Sequence, residues 1–386
     1  MLSTRYLIVG GGLTGDAACK GIRELDTEGT ITLVADEPHA PYARPPLSKA
    51  LWKGKDESSI WRGTAELGVD LRLGRRIVAL DLEQRQARDD QGEVYAYDNV
   101  LLATGGRPRR LPFGGDDVIY FRTLDDYRHL RKLATAGARI GVIGGGFIGS
   151  EIAAALALNG CTVTMVFPEA GIGARIFPAD LAAGLIDYYR ERGVDVRAGA
   201  SVTGIEGDRI LLDGGEDVQV DAVVAGIGIV PNVELAADAG LPVSNGIVVD
   251  ALGRVGGRDD VFAAGDVARF PVAALAAELR LEHEDHAKSH GRSVGANMAG
   301  AAQPYDHLPF FYSDLFDLGF EAVGDIDSRL DTLADWNGLE APGTVYYLDE
   351  QRRPRGLLLW NQFDKVDDAR KLIRAGDPVE HGALVG

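Results

Sequence analysis

A short apolar run that ends in closely spaced glycines occurs twice, as YLIVGGGLTG at residues 6–15 and as IGVIGGGFIG at residues 140–149. Each is followed by a stretch compatible with a helix, DAACKGIREL after the first and SEIAAALALNG after the second. Each then leads into a β-branched segment, TITLV or TVTMV. Apolar runs of this length bounded by turn residues predict buried strands, and the intervening helical pattern completes a βαβ unit. β-Rich segments at 71–82 and 94–103 are expected to return to the first sheet, and those at 195–204, 209–212 and 218–228 to the second. From about residue 308, β-branched and aromatic positions alternate between turns, as in TVYYLDEQRRPRGLLLW, and close on VDDARKLIRAG. That pattern predicts a small α+β domain.

The glycines have separate tasks. In a G-x-G-x-x-G turn, Gly10 and Gly144 permit the tight bend, Gly12 and Gly146 let a pyrophosphate approach the backbone, and Gly15 and Gly149 allow close helix packing. Amides at the helix start then hold the phosphates. An acidic residue is expected just beyond the following strand, where it accepts hydrogen bonds from a ribose diol. Asp36 and Glu169 stand there. A single glycine turn of this type is weak evidence, but two in the same strand-turn-helix-strand-acid context are strong.

Composition narrows the chemistry. A chain of 386 residues, 46% apolar, has material for two or three domains. Its formal charge of -18 disfavours nucleic acid and anionic membranes. No apolar run reaches the roughly 18 to 20 residues of a membrane span, and Met1 leads directly into a strand-like segment, so the expected location is cytoplasmic. The two cysteines, Cys19 and Cys161, are far apart, which gives neither a disulfide framework nor a C-x-x-C pair.

Further motifs carry a resemblance across essentially the whole chain. PYARPPLSKALW (41–52), ATGGRPR (103–109), GIGIVPNVELA (226–236), VFAAGDVA (261–268) and LWNQF (359–363) resemble the ferredoxin-reductase branch of the FAD-dependent pyridine nucleotide-disulfide oxidoreductase superfamily. FPEAGIGAR after the second fingerprint strand and RLEHEDHA (280–287) are most similar to the apoptosis-inducing-factor oxidoreductases and their prokaryotic relatives. The long C-terminal insertion of the animal proteins has no room here, so death-related functions do not transfer. The implied fold class is α/β, with FAD- and NAD(P)-binding Rossmann-type domains plus the small C-terminal α+β domain. Its implied boundaries are 1–112 and 246–307 for FAD, 113–245 for NAD(P)H and 308–386 for the C-terminal domain.

The resemblance also implies roles. Lys49 and Glu151 would be the catalytic pair, with the Lys49 ammonium near the reactive flavin edge and Glu151 on the nicotinamide amide. FAD would be contacted by Leu13, Thr14, Glu37, Arg44, Ile77, Val78, Ala103, Thr104, Gly105, Gly265 and Asp266, and by Arg109 on the pyrophosphate side. A solvated basic cluster of Arg107, Arg109 and Arg110 is an equal alternative for Arg109. Phe147, Ile148 and Gly228 would shape the nicotinamide pocket, and Glu282, His283 and Glu284 would lie at the cofactors. Tyr312 stands where the family commonly has a stacking tryptophan.

Glu169 favours NADH, because a carboxylate about 4 Å from a 2'-phosphate costs on the order of 4 kcal/mol at an effective dielectric of about 20. Arg175 could pair with that phosphate and admit some NADPH. His283, His286 and His290 share a helical face and invite a metal reading, but the family context assigns that helix to the flavin, and no metal is expected. The expected reaction is hydride transfer from NADH to FAD without a redox-active disulfide. Electrons would pass to a small iron-sulfur protein of the ferredoxin or rubredoxin kind, or to a quinone. The alternative is a redox-dependent binding module, in which a long-lived flavin-nicotinamide complex controls dimerisation or partner binding; a homodimer belongs to that expectation.

Overall fold

The computed structural model describes residues 1–383. Seven α-helices lie among them: α1 (Leu13–Arg23), α2 (Leu124–Leu133), α3 (Phe147–Leu158), α4 (Ala179–Glu191), α5 (Glu234–Asp238), α6 (Glu284–Met298) and α7 (Val366–Ala375). The chain divides into two compact units. The first comprises Met1–Ala43, Ser58–Arg107 and Val230–Pro309; the second comprises Arg44–Glu57, Pro108–Ile229 and the residues from Phe310 onward.

In the first unit, Leu2–Val9 sits between two parallel neighbours, Ile31–Ala35 and Val94–Leu102. Val69–Leu73 extends the sheet beyond Ile31–Ala35, and Val261–Ala263 pairs in parallel with the end of Val94–Leu102. Tyr6, Ile8, Leu33 and Leu101 from these strands are buried with Cys19 and Ile22 of α1 and Val294 and Met298 of α6. Near-continuous apolar strands belong in a sheet covered on both faces.

The second unit repeats that order. Val194–Ala198, Thr162–Phe167, Arg139–Ile143, Ala222–Ala225 and Val118–Tyr120 lie side by side, all parallel. A separate five-stranded antiparallel sheet, in the order Phe310–Leu315, Leu318–Gly324, Pro354–Trp360, Gly343–Leu348 and Asp331–Trp336, packs with α7 as the C-terminal α+β domain.

Four strand expectations need correction. The segment 71–82 does lie in the first sheet but as two strands: it is broken at Gly74, whose φ of 65° ends Val69–Leu73, and Ile77–Asp81 turns back as an antiparallel partner of Gln86–Asp89. The segment 195–204 is broken in the same way at Gly199. Val202–Glu206, Arg209–Leu212 and Val218–Gln219 form an antiparallel three-stranded sheet of their own, so of the segments expected there only Val194–Ala198 and Ala222–Ala225 join the second parallel sheet. β-Branched content marks a strand but carries no information about its partner.

Candidate functional site

Both glycine fingerprints fold into the same turn. Gly12, capping α1, has φ -83° and ψ -170°, and Gly146, capping α3, has φ -85° and ψ -169°. Neither cap offers a side chain to the first-turn amides, which leaves their donors and the helix dipole to an anion. Gly10 has φ 125°, and a Cβ there would stand 2.1 Å from the carbonyl oxygen of Ala103. A Cβ on Gly12 would meet nothing within 4 Å, and the same holds for Gly146. Gly15 and Gly149 are closed against the carbonyls of Gly10 and Gly144. The first and third glycines are thus required by the chain's own packing, whereas the middle one faces open space. A dinucleotide pyrophosphate fits that arrangement in each unit.

Around the first fingerprint, Leu13 and Thr14 are buried in the opening turn of α1. Asp36 follows Ile31–Ala35 and forms a loose 3.6 Å pair with Arg76, while Glu37 accepts a 2.6 Å hydrogen bond from the Tyr42 hydroxyl. Ile77 is buried and Val78 exposed on Ile77–Asp81. Beyond Val94–Leu102 come Ala103, Thr104 and Gly105. The Thr104 hydroxyl donates to the carbonyl of Asn232, whose side-chain amide donates back to the Thr104 carbonyl, both at 2.8 Å.

Gly265, with φ 75°, donates its amide to Nδ1 of His290 at 3.3 Å. The carbonyl of the neighbouring Asp266 accepts from Arg280, which also pairs with Glu282 at 2.7 Å. His283 is the N-cap of α6, and Glu284 in its first turn pairs with Lys288. His286 and His290 are fully buried: Phe270 stacks on His286 at 4.4 Å and Tyr305 on His290 at 4.6 Å. Burial pushes the His290 imidazole down to about 3 and the His286 imidazole well below its usual range, so both are neutral rings in an aromatic core. Among the described residues no three His, Cys, Asp or Glu side chains are placed to hold a metal ion.

The second unit brings Lys49, Glu151 and Tyr312 together. Glu151 sits on α3 two positions past the fingerprint and is buried. Its Oε1 meets Lys49 Nζ at 2.6 Å and the Ser313 hydroxyl at 2.5 Å; its Oε2 accepts from the Ser48 hydroxyl at 2.5 Å. A buried carboxylate is tolerated only when paired and hydrogen-bonded, and both oxygens here are occupied. Lys49 Nζ also lies 5.5 Å from the centre of the Tyr312 ring, within cation-π range. Ser48 and Ser313 were not anticipated. Each is next in sequence to an expected residue, but spacing alone says nothing about a hydroxyl turned toward Glu151.

The remaining expected residues of this unit are distributed around the second fingerprint. Phe147 opens α3 and meets Phe311 edge-on at 5.2 Å, while Ile148 is partly exposed. Gly228 has φ 92° and accepts at its carbonyl from the Arg109 amide at 2.9 Å. Arg44 donates to the carbonyl of Arg122. Glu169 is paired with Arg175 at 3.0 Å. Of the expected basic cluster, Arg110 lies over the Tyr120 ring and Arg107 is bound to Glu234 at 2.6 Å. Arg44, Lys49 and Arg109 therefore belong to the unit of the second fingerprint.

Comparison with known proteins agrees with this architecture. Residues 4–291 match the family described as pyridine nucleotide-disulphide oxidoreductase, and residues 294–341 match the mitochondrion-associated C-terminal region of apoptosis-inducing factor. The chain is 32% identical to apoptosis-inducing factor 1, mitochondrial, of Dictyostelium discoideum, covering 96% of this chain and 78% of that protein. It is 34% identical to the ferredoxin-NAD(+) reductase component of the anthranilate 1,2-dioxygenase system of Burkholderia cepacia, covering 97% and 95%. Among solved structures, the covalent putidaredoxin reductase-putidaredoxin complex superposes with a TM-score of 0.91 at 31% identity, covering 100% of this chain and 96% of that one. The chain belongs to the pyridine nucleotide-disulphide oxidoreductase family, in its ferredoxin-reductase branch, and is an FAD-dependent NADH oxidoreductase.

Proposed function

We propose that the chain hands electrons from NADH, through FAD, directly to a small iron-sulfur protein of the ferredoxin or rubredoxin kind. The state of the two cysteines carries this reading. Cys19 is fully buried and its thiol is pushed up to about 12 by burial; Cys161 is buried too, and its thiol is likewise raised. A thiolate is the reactive form, so neither side chain is suited to relay electrons. Three reductases that act on small acceptors support the choice of partner: the anthranilate system component, putidaredoxin reductase and rubredoxin-NAD(+) reductase.

When bound, FAD and NADH supply the hydride transfer, and the chain supplies binding, orientation and charge. In this proposal residues 1–112 and 246–307 bind FAD, residues 113–245 bind NADH, and residues 308–386 form the C-terminal domain. Gly10, Gly12, Gly15, Leu13 and Thr14 hold the FAD pyrophosphate and Asp36 its ribose. Thr104, Gly105, Gly265 and Asp266 line the remainder of that cofactor, with Glu37, Ile77, Val78 and Ala103. Gly144, Gly146, Gly149, Phe147, Ile148 and Gly228 receive NADH, and Glu169 accepts from its adenosine ribose. Glu151 fixes the nicotinamide amide, while Lys49 stabilises negative charge on the flavin. His283 caps and Glu284 opens α6, with Glu282 just before it, and the positive end of that helix would stabilise negative charge on a bound flavin.

Anaerobic mixing with one equivalent of NADH, followed by air or by an iron-sulfur protein, tests the proposal through flavin absorbance. Much faster reoxidation by the iron-sulfur protein is expected. The second reading, a redox-dependent binding module acting as a homodimer, is favoured by the match at residues 294–341. A reduced complex that persists against both oxidants, with NADH-dependent dimerisation, would establish it instead. A cytoplasmic location is part of this proposal, and cell fractionation tests it. No helix among the described residues is long and apolar enough to cross a membrane.

A further inference from the structure

The loop that carries Arg175 is held from the C-terminal domain. Three successive backbone carbonyls in it accept hydrogen bonds from that domain. The Ser328 hydroxyl donates to the carbonyl of Ala174 at 2.7 Å, the Ser328 amide to that of Arg175 at 3.1 Å, and the Tyr347 hydroxyl to that of Ile176 at 2.5 Å. Phe177, next in sequence, is buried edge-on against Phe320 at 5.2 Å and Trp360 at 5.7 Å, both from the C-terminal sheet. At its other end the loop is tied to the second fingerprint, where the Gly173 amide donates to the Gly145 carbonyl at 2.8 Å. Tyr347 is fully buried, and burial raises its phenol far enough that it remains a donor.

The side chain of Arg175 has no comparable support. It is 86% exposed, and its ion-pair partner is Glu169 at 3.0 Å. With one partner this exposed the pair is weak by itself, so the range of positions the guanidinium can reach is limited mainly by where its backbone is held. The backbone in turn is fixed by Ser328, Tyr347 and the Phe177 anchor.

We propose that Ser328 and Tyr347 are positioning residues for nucleotide selectivity: by pinning residues 174–176 they keep Arg175 on Glu169 and away from a 2'-phosphate. The inference rests on the reading of Glu169 as the acceptor for the adenosine ribose of NADH. With the loop pinned, Glu169 meets a 2'-hydroxyl favourably, and Arg175, committed to Glu169 at 3.0 Å, is not turned to bind a 2'-phosphate. With the loop released, Arg175 can follow the phosphate, and the acid is left without its orienting partner. The C-terminal domain then has a task in substrate choice besides completing the surroundings of Glu151 through Ser313.

The test is the selectivity ratio, kcat/KM for NADH over kcat/KM for NADPH, measured with ferricyanide on flavin-loaded enzyme. NAD+ and NADP+ affinities are measured alongside by calorimetry. The Ser328→Ala, Tyr347→Phe double variant should lower the ratio about tenfold, mainly through a higher KM for NADH, with kcat held within about twofold. In an Arg175→Ala background the same two substitutions should leave the ratio unchanged, because the residue they act through is gone. A ratio within twofold of the parent in the first background overturns the proposal, as does an equal drop in both. Should the double variant lose its flavin or its fold, Ser328→Ala alone is compared with Ser328→Thr, which keeps the amide and the hydroxyl; retention of the ratio by both overturns it. Glu169→Gln separates this inference from its premise. If that variant keeps the parent's ratio, the ribose reading itself is wrong; if it loses selectivity while the loop variants keep it, the pinning alone is wrong.

Discussion

At the scale of single residues, the contrast between neighbouring glycines separates folding from binding. Gly10→Ala drives a methyl into the Ala103 carbonyl at a backbone angle that L-residues avoid. It should yield insoluble or unfolded protein. Gly12→Ala adds its methyl to open space, so the apoprotein should keep its circular dichroism and melting temperature while its FAD affinity falls at least tenfold. Gly146→Ala should do the same for NADH and leave flavin content unchanged. Flavin occupancy and melting curves check all three, and equal thermal destabilisation of Gly12→Ala and Gly10→Ala would sink the argument.

The Lys49-Glu151 pair gives a second prediction at this scale. Removing one partner of a buried ion pair typically costs about 3 to 5 kcal/mol. Lys49→Met leaves Glu151 with two serine donors, and Glu151→Gln leaves Lys49 beside Tyr312. Lys49→Met should therefore be the milder of the two in thermal stability, while both slow flavin reduction by NADH in stopped-flow experiments. Lys49 and Glu151 could be named from motifs because each lies at a fixed offset from a recognisable segment. Ser48, Ser313, Ser328 and Tyr347 could not, since their partners lie 103, 162, 154 and 171 positions away in sequence.

Among elements, the two βαβ units were legible because local sequence determines them: an apolar run, a glycine turn and a helix of suitable length leave few alternatives. The short β segments at 202–219 were legible as strands only. Whether they join the parallel sheet or pair with one another depends on turns at Gly199 and Gly207, and periodicity does not register these. Helix α6 shows the same division. Its histidines were visible at helical spacing, but their environment was set by Phe270 and Tyr305 from other segments.

That environment makes α6 responsive to acid. The folded-state values of His286 and His290 are depressed by burial, so below about 6.5 the unfolded chain binds protons that the folded chain does not. Their stabilising contribution is complete above about pH 6.5. For His290 it falls as pH drops from about 6.5 toward about 3, by about 1.4 kcal/mol per pH unit, and His286 acts in the same direction. A His290→Asn variant should have a shallower dependence of unfolding free energy on pH between about 4.5 and 6.5, measured by urea titration. An unchanged slope would mean that His290 already takes up a proton in the folded state.

For the whole molecule, the net charge of -18 governs how a partner arrives. Two acidic proteins repel at long range, and this repulsion is screened over about 10 Å at 0.1 M salt. Several arginines are already engaged in local contacts: Arg107 with Glu234, Arg110 with the Tyr120 ring, and Arg128 with Glu57. The bimolecular rate of electron transfer to an acidic iron-sulfur protein should therefore rise as salt is increased from about 10 to about 100 mM, the reverse of an electrostatically steered pair. Direct reduction of a basic acceptor such as cytochrome c should slow over the same range. Stopped-flow rates at several ionic strengths distinguish the cases. If the rate to the iron-sulfur protein instead falls steeply with salt, a local basic face outweighs the net field. In that event the partner would approach through residues such as Lys53 and Lys55, both exposed on the strand of sequence that carries Lys49. Charge reversal at those two positions would then have to abolish the salt dependence without altering flavin reduction by NADH.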